Sequence, residues 1–394
     1  MTATHDTSQR SALKFVIFLG IVSLCADMTY EGARSITGAY LGVLGASGAV
    51  VGLVAGLGEL IGYGLRIAIG YLSDKTGKYW AITTLGFFIN TAVVPLLALA
   101  GRWEIAAGLM IAERTGKAIR TPPRDVLLSH AALRIGQGFG FGLHEALDQI
   151  GATMGPLAVA AMIFLQHGYR GGFAILAIPA VVGLIVLVVL SRVYPNPHEF
   201  ETTKIELKGE GLPPIYWIYL GAVALIGAGY ADFPLIAFHL QKSTAIAQNQ
   251  IPLLYALAMG VDAIAALIFG KLFDIKGISV LAIAALISSL FAPLVFLGNF
   301  PIALLGMTLW GIGMGAQESI LKAAIAGMVP IERRGSAFGI FHTGYGVAWF
   351  LGSALMGIFY DFDINFVIVF SIAMQLAAIP VLFLVSKRVS KEDN

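Results

Sequence analysis

Twelve apolar stretches, each long enough to cross a bilayer, divide this chain of 394 residues. They lie near 14–40, 47–72, 79–101, 103–124, 138–166 and 172–193, then 214–239, 250–273, 278–298, 301–328, 336–360 and 364–386. A spanning helix needs about 20 mainly apolar residues. Only helices and closed barrels satisfy their backbone inside hydrocarbon, and the alternation over about ten residues that marks a barrel strand is absent. The chain is 58% hydrophobic and 12% charged, against about 25% charged in an average soluble domain. That leaves no room for a soluble enzyme, and the apolar content excludes disorder. The fold class expected is an all-α integral membrane protein with twelve transmembrane helices. The 47 glycines suit close helix packing in lipid. The lone Cys25 rules out an intrachain disulfide. A net charge of +2 gives no sign of a nucleic-acid partner.

The first 13 residues are polar, and the first apolar run leads to Asp27 and Glu31 rather than to a small-residue cleavage site. The first span is therefore expected to act as its own insertion signal. With the N-terminus placed in the cytoplasm, that side collects fifteen of the Lys and Arg residues and the opposite side three. This asymmetry predicts a plasma (inner) membrane protein with both termini cytoplasmic.

The longest polar stretch between spans runs from Pro195 to Pro214. It divides the chain into a first six-helix bundle (1–194), a cytoplasmic linker (195–213) and a second six-helix bundle (214–394). The halves echo each other. Gly70 to Gly77 and Gly270 to Gly277 both read G-x-L-x-D-x-x-G, offset by 200 residues. Gly138, Phe141, Gly142 and Gly155 are echoed by Gly335, Phe338, Gly339 and Gly352, offset by 197. Parallel repeats of this kind build some transporters. Spans 3, 6, 9 and 12 carry no charge in their apolar cores, so they are expected to face lipid. The others carry ionisable residues and should surround a polar interior.

The loop from Gly70 to Lys78 (GYLSDKTGK) resembles the signature loop between helices 2 and 3 of the major facilitator superfamily, and the copy at Gly270 to Gly277 sits where that family repeats it. The resemblance covers the whole chain and implies the major facilitator fold, a secondary carrier whose helices 1, 4, 7 and 10 line the cavity. It also implies a conformational latch of Gly70, Asp74, Gly77 and Lys78, in which Asp74 docks at the start of the eleventh helix near Arg334, with Asp274 as the pseudo-equivalent near Gly138. A helix start favours a carboxylate. On the fifth span, Gly151, Gly155 and Pro156 resemble the family's antiporter motif, although Leu157 to Ala160 replace its next pair of glycines. Arg114 stands where many members carry a cavity arginine.

The charges themselves leave two readings open. Asp27, Glu31 and Arg34 share one helix face. They are either a proton-titrating carboxylate pair beside a substrate-binding arginine or an internal salt bridge. On the fourth span, Glu113, Arg114, Lys117, Arg120 and Arg124 form a stripe. Arg114 and Lys117 could hold a carboxylate or phosphate, or could neutralise Glu113, Glu145 and Asp148. Arg120 and Arg124 are read as interfacial snorkelling or gate residues, near a helix break expected at Thr121-Pro122-Pro123. Glu145 and Asp148 repel at i, i+3, which favours a proton-coupling role. His144 lacks a second histidine at metal spacing, so no metal site is expected. Glu59 and Arg66 are read as a structural bridge. In the second half, Lys322 either pairs with Glu318 or faces the cavity, and Tyr30, Tyr230, Trp310, Tyr345 and Trp349 are aromatic contacts or packing residues.

The chain has no G-x-x-x-x-G-K-[ST], no H-E-x-x-H and no G-x-S-x-G, so neither an enzyme nor catalytic residues are expected. The expectation is a proton-coupled secondary transporter that moves a small anionic or zwitterionic organic solute, or a drug-like compound, by alternating access. The direction favoured is proton antiport, that is, efflux. Its substrate-binding residues would be Tyr30, Arg34, Arg114, Lys117, Lys322 and Trp310. Its proton-coupling residues would be Asp27, Glu31, Glu113, Glu145 and Asp148. The partners are the small-molecule substrate, protons and the lipid bilayer, with a monomer as the working unit. The proton gradient, rather than a cofactor, supplies the energy. The rivals are symport of an organic anion and a flippase-like carrier of amphiphilic lipids.

Overall fold

The structure is a computed structural model, described here for residues 2–195, 211–243, 246–330 and 334–392. The described residues contain no strand. They form fifteen α-helices, with one short 3-10 turn at Leu97–Leu99. In chain order these are α1 (Thr2–Val43), α2 (Gly48–Thr76), α3 (Tyr79–Leu96), α4 (Trp103–Ile135), α5 (Gln137–Phe164), α6 (Gly168–Ile175), α7 (Ala177–Val193), α8 (Pro214–Gly229), α9 (Phe233–Ser243), α10 (Gln250–Lys276), α11 (Ser279–Ser288), α12 (Phe291–Leu297), α13 (Phe300–Met328), α14 (Arg334–Phe362) and α15 (Ile364–Glu392). The pairs α6/α7, α8/α9 and α11/α12 are each one broken span, which gives the twelve helices expected. Ten spans are long and apolar enough to cross a membrane on length and composition alone. The other two are α4, which carries the densest run of charge, and α14.

Contacts divide the chain into two compact units. The first is Met1–Ser35 with Ile61–Lys204, and the second is Ile36–Leu60 with Ile205–Asn394. The second unit thus contains the end of α1 and the start of α2. Two features hold them there. A Cβ at Gly38 would collide with the backbone of Pro234, so α1 and α9 touch backbone to backbone. The carboxylate of Asp361, at the end of α14, accepts from the first N–H groups of α2: Gly48 N–H donates to Oδ1 and Ala49 N–H to Oδ2, both at 2.8 Å. Helix starts leave such donors unpaired, and a carboxylate satisfies both charge and geometry.

Two expectations are corrected. The helix does not break at Pro122 and Pro123: both lie inside α4, which runs on to Ile135. The prolines remove two donors, yet neighbouring helices hold the segment, as membrane helices permit, and Thr121 Oγ1 donates to the Lys117 carbonyl at 2.7 Å. The seventh span is not one rod. It breaks at Tyr230–Asp232, where Tyr230 is extended.

The repeated loop motif has a visible backbone reason. Gly77 and Gly277 each adopt φ of 64°, which favours glycine. Each closes its helix with an N–H bond of 2.8 Å, to the carbonyls of Ser73 and Phe273. Gly70 lies against Pro122 of α4, and Gly270 lies against Ser319 of α13.

Candidate functional site

The first unit gathers most of the singled-out charges into one cluster, and close helix approaches place them. A Cβ at Gly116 of α4 would collide with the Asn90 backbone, and one at Gly86 of α3 would collide with the Arg120 backbone. The α3–α4 contact is therefore tight. Likewise Gly151 and Gly155 of α5 sit on the carbonyls of Leu24 and Met28 of α1. The glycines of the antiporter-like segment thus seat α5 directly on α1, with Pro156 inside α5. The charged faces of α1, α4 and α5 follow from these seatings.

Two groups of side chains result, about 10 Å apart along α4 at 1.5 Å per residue. In the first, Lys117 Nζ donates to Tyr30 OH at 2.7 Å and lies 3.9 Å from Glu31 Oε1. The same carboxylate oxygen lies 3.9 Å from Arg34 Nη1. Arg114 Nε lies 3.5 Å from Glu113 Oε2. Asn90 Nδ2 donates to Glu113 Oε1 at 2.7 Å.

In the second group, Arg120 Nη2 donates to Asp27 Oδ1 at 3.1 Å. Arg120 is 1% exposed, and its guanidinium lies 4.4 Å from the Phe87 ring centroid. It is therefore a buried ion-pair member rather than a snorkelling residue, because Gly86 and Phe87 of α3 close over it. Arg124 Nη2 donates to Asp125 Oδ1 at 2.7 Å, and its Nη1 donates to Ser23 Oγ at 3.3 Å. Ser23 Oγ lies 2.9 Å from His144 Nε2. Asp148 Oδ2 lies 3.4 Å from His144 Nδ1 and 3.7 Å from Arg124 Nη1. Glu145 is exposed.

The second unit buries indoles, phenols, hydroxyls and amides around the Asp232 carboxylate. Tyr230 OH donates to the Trp310 carbonyl. Trp310 is fully buried, and its Nε1 donates to the Ala231 carbonyl at 3.0 Å. Asp232 Oδ2 accepts from Trp349 Nε1 at 2.9 Å and from Ser353 Oγ at 2.8 Å. Ser371 Oγ donates to the Gly229 carbonyl at 2.6 Å, and Tyr345 OH donates to Gln317 Oε1 at 2.9 Å. The α8/α9 break thus has its freed carbonyls at Gly229 and Ala231 satisfied by side chains. Lys322 and Glu318 are exposed, and Asp262 is buried.

The loop residues Asp74, Lys78 and Asp274 are exposed. Tyr79 OH donates to Asp74 Oδ1 at 3.2 Å. In the segment at which Asp74 was expected to dock, residues 331–333 lie outside the described residues. Arg66 lies over the Tyr63 ring at 5.0 Å.

Asn90, Ser23 and Phe87 escaped the sequence reading. Absence of charge predicts a lipid-facing span, yet α3 supplies Asn90, α11 supplies Ser288 and α15 supplies Ser371 and Gln375, all buried. The available signal was a single polar residue within an apolar run, which in a membrane finds a partner on a neighbouring helix.

Comparison with known proteins agrees with this architecture. The Major Facilitator Superfamily profile matches residues 17–233 and 218–394. An uncharacterized protein of Mycobacterium tuberculosis (strain ATCC 25618 / H37Rv) is 41% identical over 380 residues, covering 95% of this chain and 93% of that protein. An uncharacterized MFS-type transporter of Methanocaldococcus jannaschii is 28% identical, covering 90% of each. A bacterial homolog of the human lysosomal transporter Spinster, crystallised inward-facing and occupied, superposes with a TM-score of 0.77 at 16% identity, over 96% of this chain and 97% of that one. The nucleoside transporter NupG, as a mutant, gives 0.75 at 14% identity, over 96% and 99%. At such identities the likeness is one of fold.

Proposed function

Because the chain belongs to the major facilitator superfamily, a family of multi-pass membrane transporters and not of enzymes, we propose that it exchanges protons for a small anionic or zwitterionic organic solute by alternating access. The observation that carries this reading is the first charged group on α1 and α4. Ionisable side chains inside a membrane bundle are costly to place, and by default they serve a solute or ion path. Arg34, Arg114 and Lys117 face two carboxylates, Glu31 and Glu113. These three cations stand together on facing turns of α1 and α4, and such a grouping suits the carboxylate or phosphate of a solute. Tyr30, anchored by Lys117, offers a ring and a hydroxyl beside it.

The antiport direction is supported by the antiporter-like segment Gly151, Gly155 and Pro156, whose two glycines seat α5 on α1. The proposed placement is the cytoplasmic membrane with both termini inside, on the strength of the Lys and Arg asymmetry. Gly70, Asp74, Gly77, Lys78 and Asp274 are proposed as conformational latch residues. The two loop copies share their closing glycine geometry, which keeps each loop short and each aspartate at a fixed place.

The test is transport in liposomes holding the purified protein, with labelled monocarboxylates, dicarboxylates, amino acids and sugar phosphates under an imposed pH gradient. Antiport predicts that the transported solute accumulates in the acidic compartment. Accumulation in the alkaline compartment would indicate symport instead. Movement indifferent to the gradient would remove the coupling.

A further inference from the structure

We infer that the proton is carried at Asp148, through His144, in the ring formed by Ser23, Arg124, His144 and Asp148, and that this site is separate from the anion-holding group of Arg34, Arg114 and Lys117. The inference rests on the proton-coupled reading above and assigns that coupling to particular atoms. Asp148 is a part-buried carboxylate of the cluster for which no hydrogen bond is found among the described residues. Its Oδ1 is buried without a partner. Its Oδ2 has donors only at 3.4 and 3.7 Å, beyond ordinary charge-assisted bonds. A buried polar oxygen in that condition lacks a donor, and a proton supplies one.

The other carboxylates are committed. Asp27 accepts from Arg120 at 3.1 Å. Arg120 Nε and Nη1 have no partner, so neutralising Asp27 would strand a buried guanidinium. Glu113 accepts from Asn90 at 2.7 Å and lies beside Arg114. Glu31 stands 3.9 Å from each of two cations, Arg34 Nη1 and Lys117 Nζ, so neutralising it would leave both beside an uncharged group. Arg124, by contrast, keeps Asp125 at 2.7 Å when Asp148 is neutral.

The ring is also wired for proton passage. With neutral His144 carrying its hydrogen on Nδ1, toward Asp148, the bonds run in one sense. Arg124 Nη1–H donates to Ser23 Oγ, and Ser23 O–H donates to His144 Nε2. A proton added at Nε2, with the Nδ1 hydrogen passed to Asp148, leaves neutral His144 and neutral Asp148. One proton enters, and one negative charge disappears. The charges that bear on Asp148 are Arg124 and Arg120 from α4, Asp27 from α1 and Glu145 from its own helix. Loss of the Asp148 charge releases the α5 end of the α4–α5 contact and leaves the first group's charges unchanged. The proton is thereby held on α5 beside Arg124, and the solute two turns away along α4 beside Arg114 and Lys117.

The experiment is infrared difference spectroscopy of the purified full-length protein, titrated with acid and base and with no solute added. A protonated-carboxyl band is expected to titrate in the wild type. It should be lost in Asp148→Asn, move in midpoint in His144→Gln and persist in Glu31→Gln. A titrating band that survives Asp148→Asn, or that vanishes in Glu31→Gln, overturns the assignment. An unmoved midpoint in His144→Gln overturns the relay. If Asp148→Asn does not fold, Asp148→Glu decides: the band must move to the frequency of a glutamic acid, and an unmoved band overturns the assignment. Because no solute enters this measurement, a transport panel indifferent to pH would sink the coupled-carrier reading and leave the proton site standing.

Discussion

In the first unit, α1, α4 and α5 bring guanidinium, ammonium and carboxylate groups within about 4 Å of one another at 3.1 to 3.9 Å separations. In the second, α8, α9, α13, α14 and α15 bury indoles, phenols, hydroxyls and amides whose bonds mostly end on backbone carbonyls: Tyr230 on Trp310, Trp310 on Ala231, Ser371 on Gly229. Both schemes satisfy polar groups that lipid cannot solvate. They differ in what a change of charge does. An ion-pair network redistributes when one member gains a proton, while hydroxyl and indole donors that end on backbone carbonyls do not. The first unit thus concentrates opposite charges, and the second sets aromatic side chains around the α8/α9 break. Sequence similarity between the repeats does not imply equal roles.

This contrast can be broken by substitution. The largest effect belongs to Asp27→Asn, which leaves Arg120 buried and unpaired and should cost about 3–5 kcal/mol. Thermal unfolding in micelles measures it, and the double variant Asp27→Leu/Arg120→Leu should recover most of the loss. A small effect of the single change would mean that Arg120 is not held as described. Next, Asp232→Asn should cost about 1.5–3 kcal/mol, because it weakens charge-assisted bonds from Trp349 and Ser353, and it should alter Trp349 fluorescence. A loss there as large as at Asp27 would erase the distinction between the units. Gly151→Val forces α5 off the Leu24 carbonyl and should cost about 1–3 kcal/mol. It should also shift the infrared midpoint assigned to Asp148, since it moves α5 relative to Ser23. The smallest stability effect, within about 0.5 kcal/mol, is expected at exposed Asp74→Asn, which should nonetheless slow or abolish transport in liposomes. Unchanged rates would remove the latch.

The twelve spans were legible because apolar length is a direct requirement of the bilayer. The α1 and α4 faces were legible because helical spacing fixes which charges are neighbours. The partners of those charges were not legible. Whether Lys117 meets Glu31 or Glu145 depends on how far α1 and α5 slide past each other, and that is set by contacts such as Gly151 on Leu24. Asn90 was passed over because it is uncharged, although its amide holds Glu113. The continuity of α4 through Pro122 and Pro123 runs opposite to local propensity, while the interruption of the seventh span at Tyr230 falls between Gly229 and Pro234, where propensity favours a break. In the first case packing outweighs two missing donors, and in the second the side chains of Trp310 and Ser371 replace helical bonds.

The Asp361 carboxylate that caps α2 has a consequence for movement. Two amide hydrogens of the opening turn of α2 are held by it, with the next, that of Val50, held by Ser47 Oγ. Any displacement that parts the end of α14 from the start of α2 must therefore admit water to both amides at once. Such a displacement is confined to helix tips that solvent can wet, and the dry middle of the bundle stays closed to it.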